Sequence, residues 1–216
     1  MSYSSVGLVF DLAEFRRYVE TLDLSWARAV CLHHTASPSL KDCPHGWKIQ
    51  HMRNLAHYYG SELGWSAGPH LFTDEDQIYG LSPLSEPGVH ARSFNSYSIG
   101  IEALGNYDSL DDPHSSRGQA VWDVTTSAVA ILLCHMKLGA NSETVLFHRD
   151  DPATRKTCPG DKIQKNDIVA QINQKLAELR SVADREDGVE VMISSVIKPS
   201  LDRIQFETEK IRQVIS

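Results

Sequence analysis

Apolar residues recur along the chain with two spacings, one typical of helices and one typical of strands. Residues 11–22 and 44–63 carry apolar side chains at helical spacing, whereas 27–33 (ARAVCLH) is a compact apolar run of the buried-strand type. The same criteria predict helices over 118–138 and 166–182. Helical and strand segments therefore alternate along the chain.

The remaining apolar segments have the lengths and boundaries of strands. Segments 70–73 and 77–80 flank the acidic turn DED, which predicts a hairpin. Segment 96–104 (SYSIGIEAL) predicts a strand that enters a Gly-Asn turn, and 144–147 follows a helix as a further strand. Strands that alternate with helices, together with one hairpin, predict an α/β fold in which a mixed central β-sheet is flanked by helices.

The sequence changes character after Val182. The charged stretch ADREDG, closed by a glycine, predicts a linker over 184–188 between a main domain, 1–183, and a C-terminal helical extension, 189–216. Apolar residues of the extension fall along one helical stripe: Leu201, Ile204, Ile211 and Ile215. Such a stripe indicates burial but not the surface that covers it, so docking on its own domain, homo-oligomerisation and a protein partner all stay open.

Composition and charge exclude some classes of function. Of the 216 residues, 41% are hydrophobic and 23% are charged, as in ordinary globular proteins. The formal net charge of -7 argues against broad electrostatic binding to nucleic acid, so an anionic substrate would need a local site. We expect no stable membrane insertion, because no segment is long and apolar enough. We also expect cytoplasmic synthesis without a signal peptide, because no basic region precedes an apolar stretch at the start of the sequence.

Short segments of the chain contain the residue types that bind zinc: LHHTAS at 32–37, FHRDDP at 147–152 and RKTCPG at 155–160. A catalytic zinc ion uses three protein ligands and leaves a fourth position to water, and His33, His148 and Cys158 would supply such a set. A lone histidine or cysteine is usually structural, but both histidines follow predicted strands, where sheet-based sites assemble. Since adjacent strand residues point to opposite faces, His33 and His34 cannot both face one metal ion.

Between residues 30 and 163, a series of motifs occurs in the order found in a known enzyme family. They are HHTAS, GPH before a hairpin, VHARSFNSYSIGIEALG and FHRDDPATRKTCPG. In these motifs the chain resembles the type-2 N-acetylmuramoyl-L-alanine amidases, whose superfamily includes phage lysozyme-type amidases and animal peptidoglycan recognition proteins. The resemblance implies zinc as cofactor and peptidoglycan or muropeptides as substrate. It also implies hydrolysis of the amide that joins the muramic acid lactyl group to L-alanine of the stem peptide.

The resemblance further implies roles for individual residues. His33, the first histidine of HHT, matches the first zinc ligand of the family, and His148 matches the second. Cys158 stands where the family has either cysteine or aspartate as the third ligand, and Lys156 matches the catalytic lysine. His34 is then a neighbour with a packing or supporting role. On exposure alone, Lys156 would be interpreted as a solvated loop residue.

The expected catalytic base is Glu102. It matches the catalytic glutamate of the cytosolic cell-wall-recycling branch, whereas other branches use a tyrosine at the position that Pro69 occupies here, and proline has no acid/base chemistry. A carboxylate beside the attacking water can accept its proton and pass it to the leaving amine. By strand alternation Glu102 lies opposite Ile99 and Ile101, which fits a cleft or solvent equally well.

Two residues of the motif VHARSFN are predicted to bind substrate. His90 matches a recurrent histidine near the substrate groove of the family, with an ordinary loop histidine as the alternative. Asn95 is placed to bind the peptide, with a turn cap as the alternative. Asp150 is a candidate to orient His148, although Asp-Asp-Pro is also a turn signal.

The predicted function is therefore that of a zinc-dependent amidase for cell-wall lysis, as an endolysin or an effector released by lysis or dedicated export. One alternative is a non-catalytic muropeptide-binding protein of the same fold. Such relatives have usually lost a metal ligand, so the presence of His33, His148 and Cys158 favours catalysis. Two further functions stay open: that of a cytosolic wall-recycling amidase, and that of a zinc-stabilised interaction protein that acts through its C-terminal helix.

Overall fold

The chain is described by a computed structural model over residues 3–192 and residue 198. Within these residues the strands form one six-stranded sheet in the order β1-β4-β3-β5-β2-β6. The strands are β1 Val9–Phe10, β2 Ala29–His34, β3 Leu71–Thr73, β4 Ile78–Gly80, β5 Ser98–Ala103 and β6 Val145–Phe147. The helices are α1 Leu12–Glu20, α2 Ile49–His57, α3 Ser116–His135 and α4 Lys165–Met192.

The sheet is mixed, as predicted. Strand β2 pairs in parallel with β5 and β6, and β3 pairs in parallel with β5. Strands β3 and β4 form the predicted antiparallel hairpin, and β1, which is too short for a sequence pattern to detect, pairs antiparallel with β4. All six residues of β2 are buried, which explains why its first four residues, 29–32, are all apolar rather than alternating.

The two faces of the central strands carry different residues. Paired residues of neighbouring strands point to the same face, so the register of β2 and β5 defines both sets. The α3 face carries Val30, Leu32, Ile99 and Ile101. Helix α3 contacts β2, β3 and β5, and the hydroxyl oxygens of Thr73 and Thr125 lie 2.7 Å apart between the sheet and this helix. This face is therefore the core of the fold.

The opposite face, here the cleft face, consists of Ala29, Cys31, His33, Ser98, Gly100 and Glu102. The loop between β4 and β5 covers the beginning of this face, where Ala91 and Phe94 pack with Cys31 in a hydrophobic cluster. The cover stops before the carboxyl ends of β2 and β5. The side chains of His33 and Glu102 consequently line a cleft instead of the core.

Local signals account for the helix boundaries. Helix α1 begins with a capping box in which the N–H of Glu14 donates to Asp11 Oδ1 at 2.7 Å and the N–H of Asp11 donates to Glu14 Oε2 at 3.0 Å. Helix α2 passes into one π-helical turn, Tyr58–Glu62, at the end of the predicted helix 44–63. A 3-10 turn, His148–Asp150, follows β6 directly.

Helix α4 is longer than the sequence pattern predicts. It continues beyond residue 182 and through 184–188, the predicted linker, to Met192. Of the residues ADREDG only the glycine is a poor helix former, and its cost of about 1 kcal/mol relative to alanine does not stop a long helix. The predicted domain boundaries at 183 and 189 stay predictions, and the apolar stripe of the extension lies outside the described residues.

By its internal contacts the chain divides into two units, Met1–Leu176 and Ala177–Ser216. The first unit contains the whole sheet, helices α1 to α3 and the beginning of α4. The second unit is helical over its described residues up to Met192. Among the described residues, no helix is both long enough and apolar enough to cross a membrane.

Candidate active site

The candidate site lies where the parallel strands β2, β5 and β6 end. His33 is the penultimate residue of β2 and stands opposite Glu102 of β5 in the sheet register. His148 comes directly after β6, which pairs with the other edge of β2. The carboxyl ends of parallel strands meet at one edge of the sheet, and this brings the three side chains together although His33 and His148 are 115 positions apart.

The predicted metal ligands converge at this edge. His33 Nδ1 lies 3.0 Å from His148 Nδ1 and 3.7 Å from Cys158 Sγ, and all three ligand atoms lie within 4.8 Å of one another. In a tetrahedral zinc site with nitrogen and sulfur ligands, neighbouring ligand atoms are roughly 3.3–3.6 Å apart, as the zinc bond lengths require. The two distances from His33 Nδ1 are close to these values, and two imidazoles with one thiol are a donor set that zinc prefers, so this group is suited to hold zinc.

The electrostatics of the ligands also suit a cation. Burial lowers the pKa of His33 well below its usual value and lowers that of His148, so both imidazoles have a free lone pair at neutral pH. Burial raises the pKa of Cys158, and nearby Glu102 raises it further. The N–H of His34 donates to Cys158 Sγ at 3.4 Å, a contact that favours the thiolate. The thiol would ionise readily only beside a bound cation.

A second group of ligand-type residues, Cys31, His33 and His90, has similar spacing. Cys31 is fully buried beneath the loop between β4 and β5, so a metal ion held there would be out of reach of a substrate. The group of His33, His148 and Cys158 opens onto the cleft. We therefore take the latter as the candidate metal centre.

Glu102 lies beside the metal ligands on the cleft face. Its Oε1 is 3.8 Å from His33 Nδ1, and its side chain is 15% exposed. Burial raises the pKa of Glu102 to about 8, and the charge of Lys156 acts in the opposite direction. A general acid or base is most effective when its pKa is close to the working pH, so this carboxyl group is suited to exchange a proton near neutrality.

Lys156 lies in the exposed loop that leads to Cys158 and lines the same cleft. Its charge lowers the pKa of both His33 and Glu102, which shows that its electrostatic influence reaches the site. The cleft has a volume of about 570 Å³. It also includes Pro69, so the position at which other branches are expected to have a tyrosine belongs to the cleft.

The sequence profile of N-acetylmuramoyl-L-alanine amidases matches residues 24–161, which is more than half of the chain. The chain belongs to this amidase family. A comparison with curated protein sequences finds no significant match.

Solved structures show the same fold. The N-acetylmuramoyl-L-alanine amidase LysC from Clostridium intestinale URNW is 20% identical with a TM-score of 0.53, over 70% of this chain and 89% of that one. A mutant endolysin from Bacillus subtilis is 22% identical with a TM-score of 0.50, over 68% of this chain and 86% of that one. Drosophila PGRP-LB is also 22% identical with a TM-score of 0.50, over 63% of this chain and 76% of that one. At such identities the likeness shows the fold alone.

One wall of the amidase cleft was missed in the sequence. It is formed by Tyr58, Tyr59 and Trp65, here called the aromatic wall, at and just after the π-helical turn. The rings of Tyr59 and Trp65 stack at a centroid distance of 5.3 Å, while Tyr58 and Trp65 are 49% and 40% exposed. The sequence predicted a helix over 44–63 from the spacing of its apolar residues, but of these Met52 is buried in the core whereas Ile49 and Leu63 are exposed. The exposure of these aromatic side chains identifies them as part of the cleft, and exposure can be read only from the structure.

The two predicted substrate-binding residues make hydrogen bonds within the protein. His90 Nδ1 lies 3.1 Å from His33 Nε2, and His90 Nε2 lies 3.1 Å from the carbonyl oxygen of Ser98. Asn95 Oδ1 accepts from the N–H groups of His90 and Ala91 at 2.9 and 2.8 Å, as a turn cap requires. His90 also lines the cleft. Contact of either residue with substrate stays a prediction.

His34 and Asp150, which are close in sequence to the metal ligands His33 and His148, make contacts that stabilise the local backbone. His34 is buried, its Nδ1 accepts from the N–H of Tyr107 at 3.1 Å, and its Nε2 lies 3.6 Å from Asp108 Oδ2, in agreement with a supporting role. Asp150 Oδ2 accepts from the N–H of Phe147 and pairs with Lys165 Nζ, both at 2.7 Å. Asp150 thus closes the turn after β6, as its Asp-Asp-Pro sequence indicates.

Proposed function

We propose that this chain is a zinc-dependent N-acetylmuramoyl-L-alanine amidase that hydrolyses the amide between the muramic acid lactyl group and L-alanine of peptidoglycan. The observation that carries the proposal is the convergence of His33, His148 and Cys158 beside Glu102 in the cleft of a member of this family. A family member that only binds muropeptides needs neither a complete ligand set nor a proton-exchanging carboxyl group next to it.

The residues of the site divide the work of amide hydrolysis. Zinc held by His33, His148 and Cys158 would lower the pKa of a water molecule to about 7 and polarise the substrate carbonyl. Glu102 accepts the proton of the attacking water on a carboxylate oxygen and passes it to the leaving nitrogen. Its partial burial protects this proton from exchange with bulk solvent, and its raised pKa lets it both accept and release the proton near neutral pH.

Lys156 supplies positive charge where negative charge develops. In amide hydrolysis the carbonyl oxygen becomes an oxyanion, and a cation placed near it lowers the energy of the transition state. Lys156 lies on the exposed rim of the cleft, so its ammonium group can reach a substrate bound over the ligands. The same charge assists ionisation of Glu102, whose pKa it lowers.

The walls of the cleft suit a substrate with both sugar and anionic peptide parts. The aromatic wall offers flat apolar surface against which the face of a sugar ring packs. Arg155 and Lys156, which line the same cleft, offer positive charge to the carboxylates of a stem peptide. The net charge of -7 excludes general attraction to an anionic polymer, so such a local pair is what substrate capture needs. His90 and Asn95 are proposed to border the bound peptide.

The proposed biological role is lysis of the cell wall, as an endolysin or an effector. Its support is Cys158, since the resemblance implies that a cysteine as third ligand marks the branch with the phage lysozyme-type amidases, whereas Glu102 matches the wall-recycling branch. In this role the protein is made in the cytoplasm and reaches the wall after lysis or by dedicated export. A wall-recycling amidase would instead act on soluble muropeptides, so activity on intact wall compared with soluble fragments separates the two roles.

The test is chelator-sensitive release of stem peptides. The purified chain is incubated with peptidoglycan, with added zinc or with a chelator, and the soluble products are analysed by mass spectrometry and by amino-terminal labelling. We expect peptides with a free amino-terminal alanine only when zinc is present. If the zinc-loaded chain binds peptidoglycan but releases no such peptides, the protein is a binding module and the proposed activity is wrong.

A further inference from the structure

We propose that His90 is a positioning residue that holds His33 in the one tautomer able to bind a metal ion. The proposal rests on the metal centre put forward above. A neutral imidazole carries its proton on one ring nitrogen and offers a lone pair on the other. His33 faces the candidate centre with Nδ1, so its proton has to be on Nε2, and Nε2 faces His90.

The hydrogen bonds of Ser98, His90 and His33 determine which ring nitrogens carry protons, starting from the carbonyl oxygen of Ser98. The carbonyl oxygen of Ser98 can only accept, so His90 Nε2, 3.1 Å away, carries a proton. A neutral His90 then has an unprotonated Nδ1, which accepts from His33 Nε2 at 3.1 Å. His33 Nδ1 is consequently left with a free lone pair, directed at the site shared with His148 and Cys158. One backbone carbonyl thus determines which nitrogen of a metal ligand is available.

The structure makes room for the ring of His90. A Cβ atom at Gly100 would lie 2.5 Å from His90 Cγ, so only glycine at this position of β5 lets the ring pack against the sheet. The backbone beside the ring is held by Asn95, which accepts from the N–H of His90. The rings of His33 and His90 meet edge to face at 89°, with centroids 5.2 Å apart. Asn95 and Gly100, which belong to the same sequence motif as His90, therefore both help to place the ring of His90.

Loss of this contact has a defined consequence. His33 is 1% exposed, so without His90 its Nε2–H would be buried without an acceptor. The ring could avoid that cost by moving its proton to Nδ1, where the proton would occupy the lone pair needed by the metal. Partners that orient a metal-binding histidine typically contribute 10- to 100-fold to metal affinity.

The test compares two substitutions of similar size. His90→Asn places an amide oxygen close to the position of Nδ1 and keeps an acceptor, whereas His90→Leu places a methyl group there. Zinc affinity is measured for each full-length variant by competition with a chromophoric chelator. We expect His90→Leu to bind zinc about 10- to 100-fold more weakly than the wild type, and His90→Asn to remain within a few-fold of it.

A second measurement reads the tautomer directly. In nitrogen-15 NMR spectra of the zinc-free wild type, we expect His33 to be protonated at Nε2 and unprotonated at Nδ1. Equal zinc affinity of His90→Leu and the wild type, equal loss in both variants, or a proton on His33 Nδ1 would each overturn the proposal. The NMR result decides even if His90→Leu does not fold, which circular dichroism would reveal.

The outcomes also separate this proposal from the proposed activity. If zinc affinity differs between His90→Asn and His90→Leu as expected but no stem peptide is released from peptidoglycan, His90 positions a metal ligand in a protein that is not an amidase. If stem peptides are released in a zinc-dependent manner while both variants bind zinc as the wild type does, the amidase proposal stands and the role of His90 is refuted.

Discussion

The two faces of the central strands, built from alternate residues of the same segments, have separate tasks. The α3 face is apolar and fully buried at Val30, Leu32, Ile99 and Ile101. The cleft face begins with small residues beneath a loop and ends with His33 and Glu102, which line the cleft. Because neighbouring residues of a strand point in opposite directions, stability and chemistry can change independently within a few residues of sequence.

The largest effect on zinc binding and activity is expected from loss of the metal ligand Cys158. Cys158→Ala removes the thiol of the ligand set, and two imidazoles alone hold zinc far more weakly, so we expect loss of stoichiometric zinc and of all amidase activity. Metal analysis after dialysis measures the first effect and peptide release the second. Cys134→Ala, a change at a cysteine outside the metal centre, is the control and should retain zinc. Retention of zinc by Cys158→Ala would remove this residue from the site.

Glu102→Gln should separate chemistry from metal binding. The amide keeps the size of the side chain but cannot accept a proton, so turnover should fall by about 10²- to 10⁴-fold. Zinc content should be that of the wild type, since Glu102 is not among the three ligands. Steady-state rates of peptide release and metal analysis of the same preparation check both statements. Zinc loss together with activity loss would mean that Glu102 acts as a ligand.

Ile99→Ala tests the other face. Ile99 is completely buried on the α3 face, and truncation of such a side chain costs about 2–5 kcal/mol of unfolding free energy. Denaturant unfolding of the zinc-free protein measures this loss. Zinc affinity of the fraction that is folded should be unchanged, because the ligands lie on the opposite face. A large drop in that affinity would show that the two faces are coupled.

An effect that is absent at neutral pH and develops only in acid is expected from His70, a buried residue next to β3. Its Nδ1 accepts from the N–H of Gly100 at 2.9 Å, and burial lowers the pKa of His70 to about 4. An unfolded histidine has a pKa of about 6.5, so the unfolded chain takes up a proton first as the pH falls. This residue's stabilising contribution is complete above pH 6.5 and decreases between 6.5 and 4, by an amount on the order of 3 kcal/mol.

His70→Gln removes this titration. The unfolding free energy of the variant should therefore depend less steeply on pH between 6.5 and 4 than that of the wild type, although the variant is less stable at pH 7 because it loses a hydrogen bond. Other buried histidines titrate in both proteins, so their contributions cancel in the difference. Parallel pH profiles for the two proteins would show that His70 does not titrate in this range.

Much of the fold was accessible from local patterns. The hairpin of β3 and β4, the mixed character of the sheet and the placement of Glu102 opposite Ile99 and Ile101 agree with the structure. These features depend on alternation and turn residues within a few positions of each other. The prediction was wrong about the end of α4, because a charged stretch with one glycine is compatible with a helix as well as with a linker.

The sequence by itself determined the types of the elements and the identity of the candidate ligands, because periodicity and motifs are read over short distances along the chain. The tertiary structure decided which atoms meet. His33 and Cys158 are 125 positions apart, yet their ligand atoms lie 3.7 Å from each other, and His90 reaches His33 only because Gly100 leaves space for its ring. Such distances depend on how separate strands and loops pack together, and no local pattern contains that information.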